Sequence, residues 1–543
     1  MDKMNFFIRL KKAGFQSIDL AAVTLMTLAW YFIAKYMFMS DLHPNGDNYQ
    51  YLHLMQSMWD GNGYSTSYGG EIEPSNWFPP GYPSLLFLER LLFGNDVIAF
   101  KWMNLTFLLG TVLLVWSWLK KWLNDRALPL TICLVLLLNA GLWHFGAQLM
   151  SEIPFMFFTI LALRSYHQLH EKQDFWKSYH FYLLLFGVGC AYYLRGIGIT
   201  IPAAFVVHSL MRKQWKFAGA VFFAFVLISA PLKIRNNVHG FEGRYAGAVL
   251  KKNIWNPDEG QLTTVSDWTE KFKKNAYDTV FRGFLEVTVP YAYSKKPETS
   301  VWLLGGLWIL LIAFGLFRLG STGHMLIIFL AGNAAVMLMW HGGNYSRYVW
   351  PLAPILTLGL FNGIIAIIRW MSEKMNVHFS SSFVFILLGI GAFTRPHLDL
   401  YHKTAQNPMN SGMKKYLALA DSVQNDTLEN PLVVCRKPLI FHENSGARTK
   451  RFPLTSDSLV MLKFLVETSP DYIVLDNMGY NSAHKYLTPF LNANRDIWYL
   501  DTDAGDHIFL LRFRGEKGRL KLAAWNQKMN EANELATAVR EED

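Results

Sequence analysis

Long apolar runs are the feature that most limits what this chain can fold into. Runs of roughly 17–25 residues with few charges recur through the first 400 positions of the 543-residue sequence. A helix of that length spans about 30 Å of hydrocarbon, and it satisfies its own backbone hydrogen bonds inside lipid. The sequence therefore predicts a polytopic all-α membrane domain of about eleven transmembrane helices.

The predicted spans cover most of the first 400 residues. They are residues 18–39, 97–118, 127–143, 152–169, 179–194, 197–211, 217–234, 300–318, 323–340, 349–369 and 380–395. The first run is too long for a signal peptide and has no small-residue cleavage site after it, so we expect it to be retained. The apolar segment Tyr82–Phe93 is too short to cross alone and predicts a re-entrant or kinked lead into the second span.

The positive charges give the orientation. With a cytoplasmic N-terminus, lysines and arginines fill the inner connections, whereas the short outer connections hold only Arg195 and Arg347. This asymmetry follows the positive-inside rule and accounts for the net charge of +10 without nucleic acid. Eleven spans then place the C-terminal region outside the cytoplasm. Three cysteines predict neither a disulfide framework nor a cysteine metal site.

Residues 400–543 have the composition of a soluble domain. Short β-branched runs at 431–435, 471–476 and 506–513 predict strands, and 456–468 and 480–492 predict helices between them. We therefore expect an extracytoplasmic α/β domain at 400–543, ending in a polar, frayed tail after Trp525. The remaining residues, 1–399, form the membrane domain, with outer loops at 40–81 and 235–299.

The second outer loop contains an amphipathic pattern. One predicted helical face carries Trp268, Phe272, Ala276, Val280, Phe284 and Val287, and Lys271, Lys273, Lys274 and Asp278 lie off it. This pattern is typical of a helix at the membrane surface. A helix packed on neighbouring loops would explain it equally well.

Unusual polar residues gather on the predicted outer side. Four segments contribute them: Asp47 in "GDNYQYLHL", Glu152 in "MSEIPF", Arg195 in "YYLRGIG" and Arg347 in "HGGNYSRYVWPLAP". Polar groups at membrane depth are costly and often functional. We therefore predict that these chain-distant segments converge on one outward-facing site.

Each candidate also has an ordinary explanation. Asp47 could cap the helix that follows it, and Glu152 sits at a normal helix start before Pro154. Arg195 and Arg347 could be anchors whose stems reach the interface. Further candidates for substrate binding are His341, Tyr345, Tyr348 and Tyr82. A histidine is more often structural than catalytic, and tyrosines are common in interfacial belts.

Acids and arginines facing out from lipid suit a particular chemistry. The arginine fork matches phosphate through paired, charge-assisted hydrogen bonds, and a carboxylate can take a proton from a hydroxyl. Together they suit displacement at a sugar carbon with a lipid phosphate as the leaving group. The lipid tail would keep such a donor at the bilayer surface.

The order of these motifs resembles that of the GT-C glycosyltransferases. The acid-bearing first outer loop, "PPGYPSLL", "SEIPF", "LRGIG" and "RYVWPLAPIL" follow one another across residues 15–400. The pattern is similar to protein O-mannosyltransferases, the lipid A aminoarabinose transferase, glycosyltransferase family 39 and RgtA-B-C-D-like membrane proteins. Two departures stand out: Asn48 replaces a second adjacent acid, and "FPPGYP" lacks the lysine of the aminoarabinose branch.

The resemblance implies an enzyme of the bacterial inner membrane. It implies a sugar donor linked to polyprenyl phosphate, an extracytoplasmic acceptor and transfer with inversion. Carried over by motif, Asp47 is the catalytic base, Glu152 is a second acid and Arg347 holds donor phosphate. Arg195 is a further candidate for binding that phosphate because of its position on the outer side. A divalent metal is left open, with Asp47 and Glu152 as its only ligand candidates. The sequence has no nucleotide-binding fingerprint, which agrees with a lipid-linked donor.

Two other classes of protein stay open. A transporter or flippase of a lipid-linked or anionic solute would show paired halves with broken helices near mid-membrane, and the sequence has no clear internal repeat. A non-catalytic membrane scaffold that presents the C-terminal domain would leave the four polar segments scattered.

Overall fold

The computed structural model describes most of the chain and is mainly helical. It covers residues 17–44, 46–123, 126–169, 174–241, 244–254, 256–289, 298–340, 346–375, 382–479 and 482–542. Two compact units form. The first unit holds Met1–Leu42, Asn76–Val249 and Thr263–Asn407, and the second holds His43–Ser75, Leu250–Leu262 and Pro408–Asp543.

The helices and strands alternate unevenly along the chain. In order they are α1 Ser17–Met37, α2 Gly46–Trp59, β1 Ser65–Thr66, β2 Glu73–Pro74, α3 Gly81–Phe93, α4 Val97–Trp122, α5 Ala127–Leu137, α6 Ala140–Gly146, α7 Glu152–Leu169, α8 Tyr179–Leu194, α9 Thr200–Met211, α10 Trp215–Val238, α11 Arg244–Leu250, α12 Val265–Asn275, α13 Arg282–Thr288, α14 Glu298–Phe317, α15 Gly320–Met339, α16 Ala353–Met375, α17 Ser382–Gln406, α18 Ser411–Gln424, β3 Leu432–Val434, α19 Pro438–Ser445, β4 Arg448–Lys450, α20 Ser458–Thr468, β5 Tyr472–Leu475, α21 Thr488–Ala493, β6 Trp498–Asp503, β7 Phe509–Phe513 and α22 Gly515–Glu542.

The first unit contains the membrane helices. Six described helices are long and apolar enough to cross a membrane, or seven if α5 and α6, which meet at a 56° bend, form one span. These seven coincide with predicted spans. The predictions at 179–194 and 197–211 correspond to shorter apolar helices, and those at 152–169 and 380–395 to α7 and to part of α17. The multi-pass helical architecture is confirmed, and the count of eleven stays a prediction.

The short segment before the second span is a separate helix, as expected. Helix α3 spans 13 residues, and three residues separate its end from the start of α4. Asp96 caps α4 by accepting a hydrogen bond from the Ile98 backbone N–H. The sequence therefore located this break correctly.

The amphipathic segment of the second outer loop differs from its prediction. A π-helical turn, Ala276–Phe281, separates α12 from α13. A π turn inserts a residue into the helical repeat, so one straight face cannot continue through it. Of the residues on the predicted apolar face, Phe284 and Val287 are buried and Phe272 is exposed, and Lys271, which lies off that face, is buried. Lys271 donates to the Val249 carbonyl oxygen at 2.6 Å, which explains its burial.

Glycines allow α14 and α16 to pack with their backbones in contact. A Cβ built on Gly315 would lie 1.9 Å from the Gly359 carbonyl oxygen and 2.5 Å from the Gly363 nitrogen. Small residues at such contacts are typical of helix pairs in membranes, where close packing replaces the hydrophobic effect. This pair supports the buried half of α16, which leads out of the segment that carries Arg347.

The second unit is a small α/β domain around a five-stranded sheet. The strand order is β4-β3-β5-β7-β6, with β3 parallel to β4 and β5, and with β7 antiparallel to β5 and β6. The predicted strands at 431–435, 471–476 and 506–513 are confirmed as β3, β5 and β7, and two more strands complete the sheet. Helix α22 includes the predicted polar tail after Trp525.

Two segments from the outer loops belong to this second unit. The Thr449 backbone N–H donates to the Tyr68 carbonyl oxygen at 2.7 Å, so the loop after α2 lies against the edge strand β4. Asp258 pairs with Lys485 at 3.1 Å and accepts from the Ser456 hydroxyl. The compact unit is therefore larger than the predicted domain at 400–543.

Charged residues lie where the parallel strands of this sheet end. Arg436 follows β3 and Asp476 follows β5, with Arg436 Nε 3.5 Å from Asp476 Oδ2. Burial raises the pKa of the Asp476 carboxyl, and the nearby Arg436 partly offsets this. The ion pair links the carboxyl ends of two adjacent strands.

The backbone contact between α14 and α16 gives a stability prediction. Gly315→Ala should destabilise the purified protein by about 1–3 kcal/mol, because the added methyl group has no space. Gly306→Ala on the same helix is the control, since its Cβ would lie 3.6 Å from the Phe281 ring, an ordinary contact. Thermal midpoints in detergent measure both. Equal midpoints for the two variants would show that α14 and α16 do not pack this closely.

Candidate functional site

The candidate site is built around Glu152 at the start of α7. Helix α7 begins at Glu152, so the carboxylate lies in the first turn, where the helix dipole favours negative charge. The side chain is fully buried. A buried carboxylate needs partners of opposite charge, and the chain supplies two of them.

Arg195 and Arg347 both bind the same carboxylate oxygen of Glu152. Arg195 Nη1 lies 2.8 Å from Oε1, and Arg347 Nε forms a short hydrogen bond to it. The two arginine side chains are only 11% and 15% exposed. The structure thus brings together three of the four chain-distant residues that the sequence singled out.

Among these three side chains, positive charges outnumber negative ones. The two guanidinium groups and the one carboxylate sum to +1 in a largely buried setting. Excess buried charge is costly unless a counter-ion reaches it. A guanidinium has five N–H donors in a planar fork that matches the oxygens of a phosphate. The arrangement therefore suits an anion with several oxygens.

Arg195 is held by neighbours on both sides. Its Nη1 donates to the Ser151 hydroxyl at 3.1 Å, and its guanidinium lies 5.5 Å from the centre of the Tyr348 ring. The proline-glycine turn also supports it, because a Cβ on Gly81 would lie 2.4 Å from the Tyr193 carbonyl oxygen. The turn in "PPGYP" therefore packs directly on the backbone that leads into Arg195.

Arg347 lies in a short 3₁₀ turn, Ser346–Tyr348, that is anchored by the next two residues. Val349 and Trp350 are buried. The Trp350 ring fits against Gly141 of α6, where a Cβ would approach it to 2.3 Å. The bend between α5 and α6 thus supplies the wall on which the Arg347 segment rests.

Asp47 lies in the other compact unit. Helix α2 begins at Gly46, so Asp47 occupies its first turn rather than its cap. The carboxylate is half-buried and the following residue, Asn48, is fully buried. Its helix belongs to the α/β unit through contacts described below. Its role as the base stays a prediction.

The remaining sequence candidates divide into three groups. Tyr348 lies beside Arg195, as noted. Tyr82 is in the first turn of α3 and is buried. His341 and Tyr345 fall outside the described residues. Sequence reasoning missed Ser151 and the packing role of Gly81, although the runs "SEIPF" and "PPGYP" contained both.

The metal prediction at Asp47 and Glu152 stays a prediction. Both guanidinium groups pair with Oε1 of Glu152, and Asp47 belongs to the other compact unit. Within the described residues, the side chains that could hold a metal ion together are instead His53, His442 and Glu443, all in the second unit.

Comparison with known proteins agrees with this architecture. The profile of the dolichyl-phosphate-mannose-protein mannosyltransferase family matches residues 77–233. This segment runs from just before "PPGYP" through Glu152 and Arg195. No curated protein sequence matches the chain.

Two solved structures are similar over almost the whole chain. ArnT from Cupriavidus metallidurans bound to undecaprenyl phosphate matches at a TM-score of 0.54 with 13% identity, over 91% of this chain and 97% of that chain. Its apo form matches at 0.56 with the same identity and coverage. The chain has the GT-C fold of ArnT. The predicted fold class, a GT-C-like membrane domain with a small α/β domain, is therefore confirmed.

The pairing of Glu152 with two buried arginines gives a second testable prediction. Glu152→Gln keeps the shape of the side chain but removes the negative charge between two buried arginines. We expect a loss of about 3 kcal/mol in stability, seen as a lower thermal midpoint in detergent. Millimolar phosphate should restore part of the loss by supplying a counter-ion. Glu270→Gln, at an exposed position in α12, serves as the control.

Two results would contradict the prediction for Glu152→Gln. If Glu152→Gln unfolds at the temperature of the wild type, the arginines do not depend on this carboxylate. If phosphate stabilises Glu152→Gln and Glu270→Gln by the same amount, the anion acts elsewhere on the protein.

Proposed function

We propose that this protein is an integral membrane glycosyltransferase. It moves a sugar from a polyprenyl-phosphate donor to an acceptor outside the cytoplasm, which is a glycan, a lipid or a protein. The observation that carries the proposal is the buried cluster of Arg195 and Arg347 around Glu152, with its net positive charge. The GT-C fold, the mannosyltransferase profile and the ArnT complex with undecaprenyl phosphate support the same donor class.

The arginines are the proposed phosphate site. A polyprenyl-phosphate sugar carries its negative charge on the phosphate that joins lipid to sugar. Arg347 and Arg195 bind this phosphate and stabilise the second charge that develops as it leaves. Glu152 holds the two guanidinium groups in a fixed arrangement before the donor binds. Because the arginine side chains are already ordered when the protein folds, donor binding loses less of their conformational entropy.

The proposed reaction is a single displacement. An acceptor hydroxyl oxygen forms a bond to the anomeric carbon of the sugar while the bond from that carbon to the phosphate oxygen breaks. The polyprenyl phosphate leaves with the bonding electron pair, and Asp47 takes the hydroxyl proton as general base. Attack opposite the leaving group inverts the anomeric centre. Tyr348, Tyr82, His341 and Tyr345 are proposed contacts to the substrates.

The proposed setting is the bacterial inner membrane, with a cytoplasmic N-terminus and an extracytoplasmic α/β unit. The positive charges of the inner connections support this orientation. The bilayer concentrates the donor by holding its polyprenyl tail. No nucleic acid enters the proposal, and a divalent metal is not required by the displacement itself.

The experiment is transfer of labelled sugar by the purified full chain. Membrane extracts supply acceptors, and synthetic polyprenyl-phosphate sugars are offered one at a time. Asp47→Asn should lower the rate by about 100-fold or more, because a general base contributes that much. Asp60→Asn is the control: it lies just past the other end of the same helix, where Asp60 accepts a hydrogen bond from Gln56. Both variants should fold and bind donor.

Two results would contradict the proposal. Full transfer by Asp47→Asn would remove this residue from the proton transfer. A wild type that binds polyprenyl phosphate but moves it across vesicles, with no sugar transferred from any donor, would instead favour a flippase.

A further inference from the structure

Two histidines and a glutamate meet within the second unit, apart from the arginine cluster. His53 belongs to α2, and His442 and Glu443 belong to α19, about 390 positions later in the chain. One ligand atom from each side chain lies within 4.8 Å of the other two. Such spacing is close to that of atoms sharing one metal ion, because metal–ligand bonds of about 2 Å hold ligands some 3–4 Å apart.

His442 is oriented as metal-binding histidines usually are. Its Nδ1 lies 2.7 Å from the Ala447 carbonyl oxygen. A carbonyl only accepts hydrogen bonds, so Nδ1 carries the proton and Nε2 keeps its lone pair. A backbone carbonyl that fixes the tautomer in this way is the common support of a metal-ligating imidazole.

His53 and Glu443 are already in contact. His53 Nδ1 lies 2.8 Å from Glu443 Oε1, and the His53 ring is 94% buried, since only 6% is exposed. Its ring meets those of His442 and Tyr68 edge-on, each with centroids 5.7 Å apart. The Glu443 side chain is 36% exposed, so the cluster opens to solvent on its glutamate side.

The proton on His53 shows what metal binding would change. The Ser67 backbone N–H lies 3.2 Å from Nε2, so without metal Nε2 accepts and the proton is on Nδ1, shared with Glu443. A metal on Nδ1 displaces that proton to Nε2 and breaks the Ser67 hydrogen bond. Two N–H groups would then face each other, so the Ser67 backbone has to shift, and the three metal–ligand bonds offset this loss.

We propose that His53, His442 and Glu443 form a binding site for a divalent transition metal of the zinc class. Two imidazole nitrogens and one carboxylate oxygen match Zn²⁺, whereas Mg²⁺ and Ca²⁺ prefer oxygen ligands alone. Three protein ligands leave a fourth position for water or for a polar group of a ligand. The exposed side of Glu443 gives access to that position.

The site would join two elements of the second unit. Helix α2 carries Asp47 in its first turn, and His53 lies six residues further on. Lys437, just before α19, donates to the Pro44 carbonyl oxygen at 3.2 Å, next to the start of α2. A bound metal would replace the hydrogen bond between His53 and Glu443 with a stronger link between α2 and α19. It would restrict the movement of the helix that carries the proposed base.

The ordinary alternative is a hydrogen-bonded pair of His53 and Glu443 that binds no metal. The two alternatives differ at His442, because this residue takes no part in the hydrogen bond between His53 and Glu443. Metal binding depends on it and the hydrogen bond does not. This comparison also does not depend on any glycosyltransferase activity, so the two proposals can fail separately.

The test measures metal on the full chain in detergent, purified through a tag that contains no histidine. After treatment with a chelator and reloading with Zn²⁺, the wild type should contain about one zinc ion per chain, as measured by inductively coupled plasma mass spectrometry. Co²⁺ should give the visible absorption bands of a four-coordinate site. His442→Ala should bind zinc about 10-fold or more weakly. His484→Ala, an exposed histidine of the same unit, is the control and should bind like the wild type.

Several results would overturn the proposal. One is a zinc content of the wild type no higher than that of the detergent blank. Another is Co²⁺ that stays six-coordinate when bound to the wild type. The third is an equal zinc affinity of His442→Ala and the wild type. The Co²⁺ spectrum needs no variant, so a misfolded His442→Ala would not leave the question undecided.

Discussion

The shared hydrogen bonds of Glu152 to Arg195 and Arg347 are the interaction on which the rest of the membrane unit depends. They bring α7, the turn after α8 and the turn before α16 to one point. A buried carboxylate with two guanidinium groups is stable only while all three are held in place. The Gly81 turn packs on the backbone before Arg195, and the Trp350 ring packs on Gly141 beside the Arg347 segment.

The sequence predicted these charged residues but not the contacts that hold them. Asp, Glu and Arg are conspicuous among apolar spans, so Glu152, Arg195 and Arg347 could be singled out without a structure. Their placement on the outer side stays a prediction from the positive charges of the loops. Gly81 and Trp350 gave no such signal, because close backbone packing depends on which helices become neighbours. The π turn after α12 was hidden for the same reason: its residues fit a regular helical period.

The α/β unit was predicted well in its strands and poorly in its extent. Short β-branched runs mark strands by local pattern, so β3, β5 and β7 could be found. The assignment of α2 and residues 250–262 to this unit depends on contacts across hundreds of positions, which a local pattern does not carry. This assignment changes the view of Asp47. The proposed base lies on a helix that folds with the α/β unit and contacts α19.

The most direct test of the central claim is the affinity for undecaprenyl phosphate of the wild type, Arg347→Gln and Arg195→Gln. Native mass spectrometry of the detergent-purified chain can compare them with Arg318→Gln, whose side chain lies near Phe314 instead. We expect each arginine variant of the cluster to bind about 10-fold or more weakly, since each loses a charge-assisted hydrogen bond, and Arg318→Gln to bind like the wild type. Unchanged affinity in both cluster variants would contradict the claim that this buried positive charge holds the donor phosphate.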